Sequence, residues 1–292
     1  MSLTNMPDAS CADTLSRFTF DDCAVRGEHV LLQNSFQELL AVHHYPPVVA
    51  NVLGELSAAA CLLAETIKFD GTLTLQVRSE GEIPLIMTEV TNQQSYRAIA
   101  RQAQEATSED FATLFTNGTL CLTVQPRSGK PYQGIVSLDG NSLASSLGNY
   151  FEQSEQLATR LWLFADKQRA GGMLLQQMPG DNSSDQWLHL IQMANTLSAQ
   201  ELLGLPREEL LYRLYHQEAL RLHPQKTVQF QCTCSHERLE AVLLSLGEAE
   251  LRDILAERSS IDVNCEFCNR FYQFSESDID ALLGKQTPRD AH

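Results

Sequence analysis

Cys232-Thr233-Cys234 and, thirty residues further on, Cys265-Glu266-Phe267-Cys268 decide how the C-terminal part of this chain is read. Two close cysteine pairs supply four soft ligands, which suits one tetrahedral zinc ion at about 2.3 Å per Zn–S bond. In an extended C-x-C both side chains leave the backbone on the same side, and a C-x-x-C on a tight turn converges its sulfurs likewise. The spacer between the pairs is long enough for two helices that fold back and bring the pairs together. The same sulfurs can also pair into two disulfides, so the quartet reads as a metal clamp, an oxidation switch, or both. The expectation is one Zn2+ per chain in the reduced form, held by Cys232, Cys234, Cys265 and Cys268. A C-x-x-C loop closes with little strain, so a Cys265–Cys268 bridge is expected first. A C-x-C bridge is a tighter ring, expected only after the surrounding fold has loosened.

Working outward, residues 227–292 read as a zinc-binding module that carries the redox switch. Ser235 caps a helix to about Leu246, Gly247 stops it, and Glu248 to Glu257 forms a second helix. Ile261 to Val263 and Phe271 to Phe274 flank the C-x-x-C as a hairpin. Ser275 with Asp278 caps a last helix ending at Gly284, and the tail from Lys285 to His292 reads as loose. About 60 residues with a thin core need a staple, so loss of the metal should unfold the module.

Residues 179–226 read as a helical linker. Pro179 to Ser184 is a boundary by composition. Beyond it Trp187, Leu188, Leu190, Ile191 and Ala194 are assigned to one apolar face, Ser198 with Glu201 is a capping box, and Pro206 opens a helix carrying Leu210, Leu211, Leu214 and Tyr215. Short helices of this kind are marginal alone and must dock. Residues 1–178 alternate with period two at Leu73–Val77, Pro84–Val90 and Leu120–Val124. Tyr132–Leu138, Arg160–Ala165 and Gly171–Met178 add further strands, and helices are expected at Pro46–Lys68 and Ser142–Gln156. The fold class is α+β: a β-rich N-terminal domain with packed helices, a helical linker and a small C-terminal zinc-binding module.

The chain has 292 residues, 43% of them hydrophobic, and a formal net charge of -16. Such a surface repels nucleic-acid phosphate and anionic membrane, so neither is expected as a partner. The apolar stretch Val48 to Ile67 contains Asn51, Glu55 and Glu65, which fits a core helix rather than a membrane span. The first residues carry no export signal, and eight cysteines without one argue for a reducing compartment, the cytoplasm. Cys11, Cys23, Cys61 and Cys121 are scattered and read as small buried hydrophobes.

Rival readings are weaker. A zinc-ribbon nucleic-acid binder wants a basic patch, and the module is acidic despite Arg258 and Arg270. A thiol-disulfide oxidoreductase wants its C-x-x-C at the start of a helix in a βαβ unit, and here the motif sits between two short strands. A zinc site that only holds the fold remains open. His236, beside the cysteines, reads as a solvent-facing residue of a helical first turn. His43 and His44 read as loop or helix-end residues. No phosphate-cradling glycine loop and no nucleophile elbow occur, so no enzyme is expected.

The residues as a whole resemble the heat shock protein 33 family of bacterial chaperones. The likeness is carried by Cys232-Thr233-Cys234-Ser235, Ile254 to Glu257, and Cys265-Glu266-Phe267-Cys268 with Tyr272 and Phe274. Upstream it is carried by Arg26-Gly27-Glu28, Lys68-Phe69-Asp70-Gly71, Tyr132-Gln133-Gly134, Tyr150 to Gln156, Ala170 to Gln176 and Leu214-Tyr215-His216. Ala158 departs from it, in a turn where the family pattern would place proline. The resemblance implies an ATP-independent holdase that is compact, zinc-bound and largely inactive when reduced. Peroxide or hypochlorous acid, usually with heat, would form two disulfides, release zinc and unfold the linker. Exposed apolar surface would then hold unfolding client proteins, typically as a homodimer. On that reading Trp187, Leu188, Leu190, Ile191, Leu210, Leu211, Leu214 and Tyr215 are packed when reduced and client-binding when oxidised.

Overall fold

The computed structural model describes residues 12–138, 140–179 and 184–284. Cys11, the leader reading, most of the 179–184 boundary and the 285–292 tail lie outside them. Two units separate, 1–231 and 232–292. The first runs β1 (Thr14–Phe20), β2 (Val25–Leu32), α1 (Asn34–Val42), α2 (Pro47–Thr66), β3 (Gly71–Arg78), β4 (Leu85–Thr91), β5 (Ser95–Arg101), α3 (Phe111–Leu114), β6 (Thr119–Pro126), β7 (Tyr132–Ser137), α4 (Leu143–Ser154), β8 (Thr159–Ala165) and β9 (Ala170–Gln177). It continues with α5 (Ser184–Ala194), α6 (Ala199–Gly204), α7 (Arg207–Tyr215), β10 (Leu220–Leu222), β11 (Lys226–Thr227) and β12 (Gln229–Phe230). The second unit holds α8 (His236–Leu246), α9 (Glu248–Glu257), β13 (Ser260–Asn264), β14 (Phe271–Ser275) and α10 (Glu276–Gly284).

The architecture turns on α2. Pro47 at its head fixes φ where no helical donor is needed, and apolar residues follow on every side, so the helix is buried along most of its length. It packs against β2, β8 and β9 of one sheet and β3, β4 and β5 of the other. A Cβ on Gly54 would meet the Cβ atoms of Ala170 and Ala165 at 2.8 and 2.9 Å, so glycine lets the helix approach β8 and β9. The first sheet has the order β10-β1-β2-β9-β8, with β11 also on β1; the second has β12-β5-β4-β3-β6-β7. The Val48–Ile67 stretch is thus a core helix.

The last carbonyls of α2 lack helical partners and receive them from the first sheet. Arg17 donates to the Glu65 carbonyl at 3.1 Å and Arg26 to the Thr66 carbonyl at 3.1 Å. Arg17 is held in turn by Glu28 at 2.9 Å, and Lys226 pairs with the Glu65 carboxylate at 2.7 Å. Arg26 and Glu28 are therefore structural anchors.

The other face of the first sheet carries a second apolar cluster. Phe18, Phe20, Met173 and Leu175 pack there with Leu190, Leu202, Leu210, Leu214 and Tyr215 of α5–α7. The Tyr215 ring meets Phe20 edge-on at 5.1 Å. The Ser198–Glu201 capping box forms as the sequence indicates.

Several elements were not expected. β1, β2, β5, α1 and α3 carry no clean local signal, and β10–β12 are two- and three-residue strands. Residues 227–231 run with the first unit, where β12 pairs in parallel with β5. Among the scattered cysteines Cys61 is buried, whereas Cys23 and Cys121 are only partly so. Cys121 sits on the outer face of β6, and its sulfur accepts from Gln133 at 2.8 Å.

Candidate metal centre

Everything that builds the four-sulfur site lies within the second unit. Ser235 follows the C-x-C directly and accepts from the Arg238 backbone N–H at 3.3 Å, starting α8. Gly247, at φ +89, turns the chain from α8 into α9. β13 and β14 pair in antiparallel register from Ser260–Ser275 to Asn264–Phe271, so the C-x-x-C occupies the hairpin end. There the Cys265 N–H donates to the Arg270 carbonyl at 2.9 Å, and the Asn269 N–H donates to the Cys265 carbonyl at 2.7 Å. Leu243, Leu251, Ile261, Phe274, Ile279 and Leu282 form the unit's small core. The Ser275–Asp278 cap of α10 is present, with Ser275 N–H donating to the Asp278 carboxylate at 2.8 Å.

No disulfide joins Cys232, Cys234, Cys265 and Cys268, and their sulfurs all lie within 4.8 Å of one another. Cys232 Sγ is 3.7 Å from Cys265 Sγ, and Cys234 Sγ is 3.4 Å from Cys268 Sγ. A regular tetrahedron with metal–sulfur bonds of about 2.3 Å has edges of about 3.8 Å. The donor set therefore fits one tetrahedral ion, and the soft four-thiolate chemistry favours zinc over oxygen-seeking cations. The C-x-C lies in irregular backbone rather than a strand; the sulfurs converge because α8 and the hairpin bracket them.

Electrostatics in the quartet are uneven. Burial raises the Cys234 thiol, but hydrogen bonds from Tyr272 and the other three thiols outweigh it and bring it down to about 7. Burial chiefly pushes Cys268 up, and its neighbours' sulfurs add to that. Tyr272 donates to Cys234 Sγ at 3.1 Å, a support the sequence reading did not assign. Its sequence signals are its place on a strand that returns past the quartet and its share in the resemblance carried by the C-x-x-C segment.

His236 is not part of the quartet. It is half exposed, faces Glu240 at 3.2 Å and stacks on the Phe274 ring at 4.3 Å. The apolar residues assigned to client binding are spread over one interface. Leu190, Leu210, Leu211, Leu214 and Tyr215 are buried there, and Trp187 and Ile191 are partly buried. Leu188 is 54% exposed: positions 187, 190, 191 and 194 share a helical face, and 188 falls off it.

Comparisons with known proteins agree with this architecture. The family model described as Hsp33 protein matches residues 13–275. A 33 kDa chaperonin of Pseudomonas fluorescens is 47% identical over 300 residues, covering 99% of each chain. One of Azotobacter vinelandii is 50% identical over 280 residues, 93% of this chain and 94% of the relative. The crystal structure of a 33 kDa chaperonin (heat shock protein 33 homolog) from Thermotoga maritima shares the fold, with a TM-score of 0.81 at 20% identity over 94% of this chain and 99% of that one. The relatives are named chaperonins rather than enzymes, and with matches of this extent the chain belongs to the Hsp33 family of chaperones.

Proposed function

We propose that this chaperone is a redox-regulated, ATP-independent holdase whose switch is the four-cysteine site. In this reading the chain is organised as a β-rich domain over 1–178, a linker over 179–226 and a zinc switch over 227–292. The observation that carries it is the mutual approach of the four cysteine sulfurs within 4.8 Å. That spacing serves a tetrahedral ion, and it leaves every sulfur within short reach of an oxidised neighbour. Zinc, when bound, would supply the cross-link that the six-residue core of the second unit does not supply by apolar burial alone.

Oxidation removes that cross-link by using up its donors. For each bridge, two thiolates give two electrons to one peroxide molecule, which takes up two protons from solvent and leaves as two waters. A disulfide sulfur is a poor metal ligand, so two bridges end tetrahedral binding. Cys265 and Cys268 bridge first, because their loop already turns on itself; Cys232 and Cys234 follow as the unit loosens. The loosened switch then frees α5–α7 from the first sheet. Release bares Trp187, Leu190, Ile191, Leu210, Leu211, Leu214 and Tyr215 together with the sheet face beneath, and Leu188 is available beforehand. That surface holds unfolding client proteins, with the active form a homodimer. The net charge of -16 keeps such a surface dispersed and disfavours nucleic acid and anionic membrane as partners. A working state with reduced thiols suits a reducing compartment, and on this reading the protein acts in the cytoplasm.

A thiol-disulfide oxidoreductase is the alternative. It is disfavoured because the C-x-x-C ends a β-hairpin and opens no helix. The test is aggregation of a thermally unfolding protein, followed with metal release before and after peroxide at raised temperature. Suppression should appear with metal release, need no ATP and reverse under reductant. Catalytic turnover of a disulfide substrate without suppression would favour the alternative.

A further inference from the structure

β2 divides its side chains between two interfaces. Arg26, Glu28, Val30 and Leu32 face α2, and Val25, His29 and Leu31 face the α5–α7 helices. That second interface is largely apolar, and among the described residues it encloses buried polar side-chain atoms that have no partner. His29 is 2% exposed, and among the described residues neither of its ring nitrogens has a hydrogen-bond partner. Ser16, its register partner on β1, is 1% exposed with an equally unpartnered hydroxyl. Arg207, at the first position of α7, has a buried Nη1 with no partner. Three polar groups thus lie sealed in one contact without satisfying one another. Each forgoes hydrogen bonds that water supplies once the contact opens. A contact meant only to hold would have apolar side chains here.

We propose that His29 is a proton-sensitive latch: α5–α7 close only over its neutral imidazole, so their release takes up a proton and acidification assists the opening that oxidation drives. This rests on the reading that those helices are the released element.

The surroundings of His29 set the sign. From β9 it faces Met173, from β1 Ser16, and α6 brings Leu202 and Leu203 to the same cluster; none of these titrates. The charged groups acting on it are Arg207 and Glu208 at the head of α7. Burial, reinforced by Arg207 and opposed by Glu208, lowers His29 to about 4. Exposed histidine titrates near 6.5. A depressed value means that closure is fully favoured above about pH 6.5 and weakens as pH falls toward 4. Between pH 7.5 and 5.5 the opening equilibrium should rise about tenfold.

The test is amide hydrogen exchange of peptides covering 184–215 in the full-length, reduced, metal-loaded protein at pH 7.5 and 5.5, corrected for chemical exchange. The opening equilibrium should rise about tenfold at the lower pH in the wild type and not in His29→Gln. Metal loss or carboxylate titration over that range acts on both proteins alike and cancels in the comparison. An equal response in both proteins, or none in the wild type, would overturn the latch. Should His29→Gln not fold, histidine NMR of the wild type decides. His29 should stay neutral to below pH 5 when reduced and titrate near 6.5 when oxidised; titration near 6.5 in the reduced protein overturns the proposal. A peroxide arm at pH 7.5 separates the two readings: peroxide without release strikes the redox scheme, and loss of the acid response strikes only the latch.

Discussion

The two units of this chain reach order by different means. In the first, α2 sits between two sheets and dozens of side chains bury against it. In the second, six buried apolar side chains serve about sixty residues, and four sulfurs meet at their edge. A unit with a large core has no single point of failure. A unit with a small core and one cross-link has one, and here that point is built from the residues most easily oxidised. Under the proposed redox reading, the contrast lets one part of the molecule lose its structure on a chemical signal while the rest keeps its own.

The largest test of the contrast is metal removal. Zinc in small structural sites contributes roughly 10–16 kcal/mol of apparent binding energy at neutral pH, far more than the second unit's core can replace. Chelation of the reduced protein should abolish protection of amides throughout 232–284 and leave α2 and the central strands protected. A second unit that keeps its exchange protection after chelation would break the comparison.

Replacing Cys265 and Cys268 together by serine should act nearly as strongly. Two of the four ligands are lost, and with them the bridge expected to form first. Stoichiometric metal should fall away, and peroxide should no longer change chaperone activity. Unchanged peroxide activation in this variant would remove the switch from the C-x-x-C.

Core truncation sharpens the other half. Leu53, fully buried in α2, should cost about 2–5 kcal/mol as Leu53→Ala. Both tryptophans, Trp162 and Trp187, belong to the first unit, so their fluorescence reports its unfolding separately. The variant should lower that transition and leave metal affinity unchanged.

Glu28 gives a pH test of the first unit. Burial pushes its carboxyl up to about 7, against the opposing pull of Arg17 at 2.9 Å. A raised carboxyl favours the folded state fully below about pH 4.5, and that contribution is lost as pH rises through about 7. Tryptophan-detected stability of Glu28→Gln should therefore depend less on pH over that window than the wild type, by an amount on the order of 3 kcal/mol. Parallel profiles would show that Arg17 keeps Glu28 ionised. The smallest effect is at Ser235: Ser235→Ala should cost about 1 kcal/mol through its cap and weaken metal retention without touching the tryptophan signal.

Local chemistry made much of this legible. The capping residues Ser198, Ser235 and Ser275 start helices where the sequence indicates. The cysteine quartet is read from spacing alone, because a metal site needs few residues of one type. What escaped depends on distance along the chain. α1 is capped by Asp13, whose carboxylate accepts from the backbone N–H groups of Gln33, Asn34 and Ser35 at 2.9–3.0 Å, about twenty residues away. β2 carries Glu28 and His29 at buried positions, which breaks the alternation that marks a strand. The convergence of the C-x-C sulfurs came from bracketing by α8 and the hairpin, and the expected strand geometry was not the cause.

The most direct test follows three signals together after peroxide is added to the reduced, metal-loaded chain at raised temperature. They are metal release, hydrogen exchange of residues 184–215 and suppression of client aggregation. Metal release should come first or coincide with exchange of α5–α7, suppression should track that exchange, and the α2 core should stay protected throughout. Suppression gained with metal still bound, or metal lost while α5–α7 stay protected and the protein stays inert, would contradict the account.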